Sequence, residues 1–254
     1  MLIIISPAKR MSPATGKDDT GHTFPRHLDK SARLVEEIRK LSPEELQDLM
    51  NVNAEIARLN FERYRQWETP FDTENAGQAL LAFRGDVYRS MDPLSFTGED
   101  LDFARDRLRI LSGLYGILRP LDLIRPYRLE MGSKFSPPGK RDLYEFWSDA
   151  ITSSVNEDMK QQKEKVLVNL ASREYFRALD AGKLEGRTVV PAFKQYREGK
   201  YRVAGIPAKL ARGMMTRFII QNRIEKAEEI KLFSQEGYSY DENLSSAEEW
   251  VFTR

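Results

Sequence analysis

Some residues able to do chemistry stand near a short apolar run at the start of the chain, and others near its middle. Lys9 comes four residues after the run Leu2–Ile5, and α/β sheets place ligand-contacting groups at the ends of such strands. Between residues 127 and 131 apolar and charged residues alternate, so a strand there puts Arg128 and Glu130 on one face. An arginine next to a carboxylate in a cleft can position a substrate. The same residues also fit a solvated lysine and a structural ion pair.

A second group of basic residues lies on a predicted helix in the last quarter of the chain. Over residues 207–224, a period of about 3.6 residues separates a polar, basic stripe from mainly apolar side chains. Gly213 lies beside the stripe, where another backbone or a ligand can approach closely. We predict a helix with a cationic face, which either lines a cleft or is simply solvated. The stripe consists of Lys209, Arg212, Thr216 and Arg223.

The segment 98–126 contains two glycines three positions apart, Gly113 and Gly116, after a helical pattern. Glycine adopts positive φ readily, so we predict a helix, a tight turn and a second apolar helix. In such a helix-hairpin-helix-like element, free N–H groups at the start of the second helix can bind a phosphate. The alternative is an ordinary helical hairpin whose arginines pair with carboxylates. The arginines near the turn are Arg109, Arg119, Arg125 and Arg128.

Charge is distributed unevenly, although the whole chain has a net charge of only +1. Residues 105–141 hold nine basic and three acidic residues, and residues 187–217 hold eight basic residues and one acidic residue. The segment 225–249 is the opposite, with two basic and eight acidic residues. Such a chain has no global field that attracts nucleic acid, yet it can present a basic cleft locally. The basic segments can also face the acidic ones and cancel them.

The residue content excludes several kinds of site. The chain has no cysteine, which excludes disulfides, cysteine zinc sites and cysteine-held iron–sulfur clusters. Its two histidines, His22 and His27, stand in a predicted loop, and we expect neither a metal site nor a cofactor. No apolar run approaches the roughly 20 residues of a membrane span, and Leu2–Ile5 is too short for a signal peptide. We expect a cytoplasmic protein with no membrane partner, and favour a monomer.

The elements that must position these residues alternate between strands and helices. Strands are predicted at 2–5, 127–131, 166–170, 189–196, 200–206 and 250–252. Helices are predicted at 28–41, 43–67, 74–91 with a break at Gly85, 141–162, 172–179 with a cap at Ser172, and 207–224. A loop is predicted from the first strand to about residue 26. We predict a mixed α/β (α+β) fold with a basic cleft, in a single domain over 1–254.

Long segments spread over nearly the whole chain resemble one family. In order and spacing they are similar to the YaaA family of bacterial peroxide-stress proteins. The resemblance implies a cytosolic mixed α/β protein with a basic cleft and a helix-hairpin-helix-like element. It also implies survival of hydrogen peroxide by limiting unincorporated iron, together with binding of DNA, and it implies no established reaction. The segments are LIIISPAK at 2–9, FRGDVY at 83–88, LSGLYGILRPLDLIRPYRLEMG at 111–132, VNLASREYF at 168–176, KLARGMMTRFII at 209–220 and GYSYDENLSS at 237–246.

Two functional hypotheses remain open. In the first, the chain binds double-stranded or distorted DNA through phosphate contacts. Because such contacts position the protein without specifying bases, it would recognise DNA shape more than sequence. A tyrosine near the contacts can stack on an exposed base. The residues assigned to DNA or phosphate are Gly113, Tyr115, Gly116, Arg119, Arg125, Arg128, Lys209 and Arg212.

In the second hypothesis, the cleft is an active site for a small phosphorylated or nucleotide-like substrate. Basic residues would hold the phosphate while a carboxylate acts as a base or holds a divalent ion. Carboxylates repel a DNA backbone, so two of them converging in the cleft would favour an enzyme. Direct iron binding is a weaker alternative, because the chain has few histidines and no cysteine. The catalytic candidates are Lys9, Glu130 and, from the segments that carry the resemblance, Asp86 and Glu174.

Overall fold

The strand at the centre of the fold is β1, whose side chains are completely buried. In the computed structural model, which describes residues 1–12 and 21–254, β1 pairs in parallel with strands from two distant parts of the chain. Strands covered on both faces are continuous apolar runs, as this one is. In chain order the strands are β1 (Leu2–Ile5), β2 (Arg10–Met11), β3 (Gly77–Gln78), β4 (Phe83–Arg84), β5 (Leu108–Ser112), β6 (Gly116–Leu118), β7 (Leu123–Ile124), β8 (Val166–Asn169), β9 (Arg187–Arg197), β10 (Lys200–Arg202), β11 (Ser239–Tyr240) and β12 (Glu249–Thr253).

One eight-stranded sheet has the order β11–β12–β9–β8–β1–β5–β6, with β10 paired to β9. The strands β5, β1, β8, β9 and β12 run parallel to their neighbours in this group. The strands β6, β10 and β11 pair in antiparallel fashion at its margins. Because β1 and β8 are parallel neighbours, the loops that follow them leave the sheet on the same side. The fold is therefore a single-domain mixed α/β fold, which confirms the predicted class.

Side-chain caps begin several of the helices. Thr97 and Asp100 form a capping box at one helix, and Ser42 with Glu45 forms another. The helices in chain order are α1 (Leu28–Ile38), α2 (Pro43–Met50), α3 (Ala54–Gln66), α4 (Ala79–Ala82), α5 (Asp86–Met91), α6 (Gly98–Arg107), α7 (Leu143–Lys160), α8 (Arg173–Phe176) and α9 (Gly205–Gln221). None of the helices in the described part of the chain combines the length and apolar character needed to span a membrane.

The helix predicted at 43–67 is in fact two helices, α2 and α3. Asn51 has a left-handed backbone with φ of 48° and ends α2, and Asn53 accepts a hydrogen bond from Ile56 N that caps α3. Asparagine tolerates this conformation, whereas the apolar period continues across the break and hides it. Likewise the pattern at 74–91 divides into β3, α4, β4 and α5, because β3 and β4 pair with distant strands. The predicted break at Gly85 is confirmed.

The helix-hairpin-helix-like element predicted at 98–126 is wrong. After α6 the chain enters β5, which pairs with β1, then turns and returns as β6. Gly116 has φ of 71° in this turn, and a Cβ on Gly113 would overlap the carbonyl oxygen of Leu129. The glycines therefore serve a tight β-hairpin inside the fold. A buried strand and a buried helix segment have the same apolar composition, so periodicity could not separate them.

The strand predicted at 127–131 is also wrong, because no strand is assigned to these described residues. The alternation nevertheless has a structural counterpart. Tyr127, Leu129 and Met131 are buried, whereas Arg128 and Glu130 are partly exposed. An extended segment packed along the core therefore produces the same pattern without pairing to a neighbour.

The elements predicted in the second half of the chain are present, although the strand predicted at 200–206 ends at Arg202 and a helix begins at Gly205. The helix predicted at 141–162 is α7, the strand at 166–170 is β8, and the two strands around residues 197–199 are β9 and β10. The predicted helix at 207–224 is α9, and the final strand is β12. Gly213 allows α9 to pack closely on α5, since a Cβ there would overlap Val87 O and Ser90 Oγ. Residues 13–20 of the loop predicted before residue 26 lie outside the described residues.

Candidate functional site

The loops that follow β1 and β8 are joined in the lining of a pocket. Ser172 N donates to Ser6 Oγ at 2.8 Å, and the two hydroxyl oxygens are 3.3 Å apart. Tyr88 OH donates to Ser6 O at 3.0 Å. Ser172 also accepts a hydrogen bond from Tyr175 N and begins α8, as predicted. These bonds fix the two loops against each other, so Lys9 from one loop and Glu174 from α8 line the same space.

The smaller part of the pocket, here called the inner lobe, has a volume of about 250 Å³. The Tyr127 hydroxyl is already engaged, since its oxygen lies 2.6 Å from Ser112 Oγ. Burial raises the pKa of the Tyr127 and Tyr175 phenols, which therefore stay protonated near neutral pH. The tyrosines offer this lobe aromatic surface rather than a base. Its apolar lining is Pro7, Ala8, Val87, Tyr127, Leu129, Leu170 and Tyr175.

The second part, here called the outer lobe, has a volume of about 630 Å³ and is more polar. It opens between the end of α2 and the turn that follows Glu130. The five residues shared by the two lobes stand at their junction. These are Lys9, Arg128, Leu129, Glu130 and Glu174. The residues that line only the outer lobe are Asp48, Leu49, Met50, Asn51, Gly132, Ser133 and Lys134.

Glu130 is held between two cations at the junction. Lys9 Nζ lies 2.7 Å from Glu130 Oε2, and Arg128 lies 3.4 Å from Glu130 Oε1. The Lys9 side chain is 61% exposed, so solvent screens its ion pair. Arg128 is more buried, and its Nε has no hydrogen-bond partner among the described residues; the same holds for the buried Ser133 Oγ. Buried polar atoms without protein partners are ordinarily satisfied by water or a ligand.

Glu174 is held differently. Its Oε1 accepts a hydrogen bond from Gly132 N at 3.0 Å. Within the described residues its Oε2 has no hydrogen bond and neither oxygen has an ion pair with a lysine or arginine. The carboxylate is partly buried at the junction of the lobes. It is therefore fixed through one oxygen and retains acceptor capacity toward the pocket.

Two cations from α9 complete the inner lobe. Arg212 is partly buried, and neither a carboxylate nor a hydrogen-bond acceptor from the described residues contacts its guanidinium. Burial lowers the pKa of Arg212, and no neighbouring charge contributes to this shift. Lys209 is exposed one turn earlier on the same helix. A guanidinium that loses hydration without a counter-ion is unfavourable, and an anion in the inner lobe would offset this cost.

The predicted stripe on α9 does not extend beyond these two residues. Thr216 is fully buried and donates to Arg212 O. Arg223 lies after the helix, where its NH1 is 2.6 Å from Asp100 Oδ1. Asp86 also lies away from the pocket lining and pairs with Arg89 at 3.1 Å. The pocket thus brings together Lys9, Arg128, Glu130, Glu174, Lys209 and Arg212.

The residues assigned to DNA near the glycine turn are engaged inside the fold. Gly113, Tyr115 and Gly116 are buried, and Tyr115 OH accepts a hydrogen bond from Trp67 Nε1 at 2.9 Å. The Arg119 side chain pairs with Asp122 at 3.0 Å and donates to Phe24 O at 2.8 Å. Arg125 donates to Gln66 O and lies over the ring of Phe71. This turn presents no free row of amides to a duplex.

An exposed feature missed at the sequence level is the tip of the β9–β10 hairpin. Tyr196 and Tyr201 are 61% and 42% exposed, and their ring centroids are 5.2 Å apart. Exposed basic residues surround this aromatic pair: Arg197, Lys200 and Arg202. The hairpin itself was predictable from its turn, but the exposure of both rings depends on β10 lying beyond the main row of strands.

No group of three or more histidines, aspartates or glutamates in the described ranges is placed to hold a metal ion. His27 precedes α1 and lies 3.0 Å from Ser154 Oγ through its Nε2, while His22 is exposed. Burial lowers the pKa of His27. The described lining of the two lobes therefore contains three carboxylates and five cationic side chains, without histidine.

Known proteins match this chain over almost its entire length. The model of a family described as peroxide stress protein YaaA matches residues 1–244. A UPF0246 protein from Cellvibrio japonicus is 47% identical over 254 residues, which cover all of this chain and 98% of the relative. A UPF0246 protein from Hahella chejuensis is 48% identical over 254 residues, which cover all of this chain and 99% of the relative.

Proposed function

Because this chain belongs to the peroxide stress protein YaaA family, we propose that it acts in the peroxide-stress response by binding a small phosphorylated, nucleotide-like molecule in the two-lobed pocket. The main support is the guanidinium of Arg212, partly buried in the inner lobe with no anionic partner among the described residues. The cellular role implied by the family resemblance is limitation of iron-linked oxidative damage. Survival of hydrogen peroxide is therefore the cellular measurement of this function.

The lining of the pocket favours this class of ligand. The inner lobe combines aromatic and aliphatic walls, which suit a planar ring, with Lys209 and Arg212, which suit a phosphate. The junction adds two carboxylates, Glu130 and Glu174. Carboxylates beside cations are unfavourable next to a DNA backbone, because they repel its phosphates. They are suited to a small molecule that has hydrogen-bond donors as well as a phosphate, and to an enzyme that acts on it.

Binding can be tested by titration calorimetry of the purified chain with adenosine, guanosine, cytidine and uridine 5′-monophosphates and with inorganic phosphate. We expect at least one nucleotide to bind, and Arg212→Met to weaken its binding by about tenfold or more, the effect of losing a charge-assisted hydrogen bond. Arg58→Met, at an exposed position on α3, is the matched control. Absence of binding to every probe, or unchanged binding by Arg212→Met, would contradict the proposal.

DNA binding is a second candidate, supported by the β9–β10 hairpin. Its exposed cations can contact phosphates, and the rings of Tyr196 and Tyr201 can stack on bases opened in distorted DNA. This moves the proposed DNA contact away from Arg119 and Arg125, whose side chains are engaged within the fold. We expect a preference for bent or bulged duplexes over any particular sequence.

The salt dependence of binding tests this second candidate. The logarithm of affinity for bulged duplex DNA should fall linearly with the logarithm of salt concentration, with a slope of about −0.9 per phosphate contacted. Lys200→Ala should make this slope shallower, and Tyr196→Ala combined with Tyr201→Ala should remove the preference for the bulge. Lys140→Ala, at an exposed position outside the β9–β10 hairpin, is the control. Salt-independent affinity would contradict DNA binding through phosphates.

A further inference from the structure

We infer that Glu174 selects a ligand whose ring presents two adjacent N–H donors, as guanine does along its N1 and N2 edge. The inference rests on the proposed function and adds the identity of the base. Three features of the pocket support it: the anchoring of the Glu174 carboxylate, the acceptor capacity left on it, and the nature of the surfaces around it.

The anchoring fixes the direction of the carboxylate. Gly132 N donates to Glu174 Oε1 at 3.0 Å, and Ser172 caps the helix that carries Glu174. The side chain cannot swing freely without losing the Gly132 bond. A carboxylate held in this way is a preorganised acceptor, so a ligand need not order it on binding.

The remaining acceptor capacity requires donors. A carboxylate has about four acceptor positions on its two oxygens, and the described residues fill one of those of Glu174. No lysine or arginine of the described residues pairs with it, because Lys9 and Arg128 both pair with Glu130. Two parallel N–H groups are the partners that match both carboxylate oxygens together.

The walls of the inner lobe around Glu174 favour a planar ring as the group that supplies these donors. The inner lobe next to Glu174 is lined by Leu129, Leu170 and the rings of Tyr127 and Tyr175. The Tyr127 hydroxyl is bonded to Ser112 Oγ, so it does not compete for the ring edge. A planar base fits such walls, and its phosphate would be bound by the cations of α9. Guanine presents two donors to Glu174, hypoxanthine presents one, and adenine presents an acceptor at N1.

The test is titration calorimetry with guanosine, inosine and adenosine 5′-monophosphates. Guanosine monophosphate should bind most tightly, inosine monophosphate less tightly and adenosine monophosphate most weakly. The affinities of the first and the last should differ by about tenfold or more. In Glu174→Gln this preference should be lost and adenosine monophosphate should gain affinity, because an amide offers one donor and one acceptor to the adenine edge. Glu62→Gln, at an exposed position on α3, is the matched control.

The outcomes separate this inference from the function on which it rests. Equal affinity for the three nucleotides, or an unchanged preference in Glu174→Gln, would overturn the role of Glu174. If Arg212→Met still weakened the binding of all three nucleotides in that case, the proposed function of nucleotide binding would remain supported. Absence of binding to any nucleotide would overturn both. Loss of the preference in Glu174→Gln with a gain for adenosine monophosphate, while Glu62→Gln behaves like the parent, supports both.

Discussion

Lys9 Nζ lies 2.7 Å from Glu130 Oε2 at the junction of the two lobes, between residues that the sequence separates by more than 100 positions. The contact places a positive charge from the loop after β1 against a negative charge from the extended segment that packs beside it. Without Lys9, Arg128 at 3.4 Å would be the one remaining ion-pair partner of Glu130 among the described residues. The balance of charge at the entrance to the inner lobe therefore depends on this pair.

Replacing Lys9 by Met should weaken nucleotide binding and leave stability nearly unchanged. The ion pair is largely exposed on the lysine side, so it contributes roughly 0–1 kcal/mol to folding. Without the positive charge of Lys9, the negative charge of Glu130 repels a phosphate that enters the pocket more strongly. We expect a several-fold loss of affinity in calorimetry and partial recovery when Glu130→Gln is added. Lys140→Met is the control; equal affinities in Lys9→Met and the parent would refute this role.

Gly213→Ala should lower the free energy of unfolding, although it adds only one methyl group. The added Cβ would overlap Val87 O and Ser90 Oγ, which forces α9 away from α5. Overpacking of this kind costs about 1–3 kcal/mol. Gly205→Ala is the matched control on the same helix, since nothing lies within 4 Å of its added Cβ. Urea denaturation measures both variants, and equal losses of stability would contradict the close helix packing.

Asp158 should make folding stability sensitive to acid. Burial alone would raise the pKa of this carboxyl, but hydrogen bonds from Arg109 and Arg26 lower it below its ordinary value. Arg109 Nε lies 2.6 Å from Asp158 Oδ2, and both side chains are almost fully buried. Because the folded pKa is depressed, the stabilisation is present above the unfolded pKa and is lost as the pH falls through the folded pKa.

Asp158→Asn tests this arrangement. At neutral pH it should cost about 3–5 kcal/mol of unfolding free energy, because Arg109 would stay buried without a counter-charge. The difference from the parent should shrink as the pH falls below the ordinary range of an aspartate. Urea denaturation at neutral and strongly acidic pH measures both values. Asp149→Asn, an exposed carboxylate on the same helix, is the control. A constant difference across pH would contradict the linkage.

Elements with strong local signals could be predicted from the sequence. The buried run of β1 and the capping boxes at Ser42 and Thr97 need only neighbouring residues. The strand β5 could not be predicted, because its pairing with β1 is made with residues more than 100 positions away. The break at Asn51 was missed since the apolar period runs across it.

The candidate site was only partly predictable for the same reason. The sequence points to Lys9, Glu130 and Glu174 as candidates, and the structure places them around one pocket, while their roles stay predictions. Asp86 is a further candidate from the sequence, yet in the structure it pairs with Arg89 and lies outside the pocket lining. The outer lobe was not foreseen, because the end of α2 reaches the pocket only through the break at Asn51. No local pattern reports such a contact.

The carboxylates of the pocket separate the two proposed functions in living cells. If the pocket serves the peroxide response, Glu174→Gln and Glu130→Gln should reduce survival of hydrogen peroxide, since each changes a group that faces the ligand. Their affinity for bulged DNA should stay level or rise, because a negative charge has been removed. The hairpin variant with both Tyr196 and Tyr201 replaced by Ala should show the reverse, with weaker DNA binding and normal survival. The measurements are survival after a peroxide pulse and DNA affinity, with folding confirmed by thermal melting. If both glutamine variants protect fully while the hairpin variant does not, the response depends on DNA and the pocket function must be abandoned.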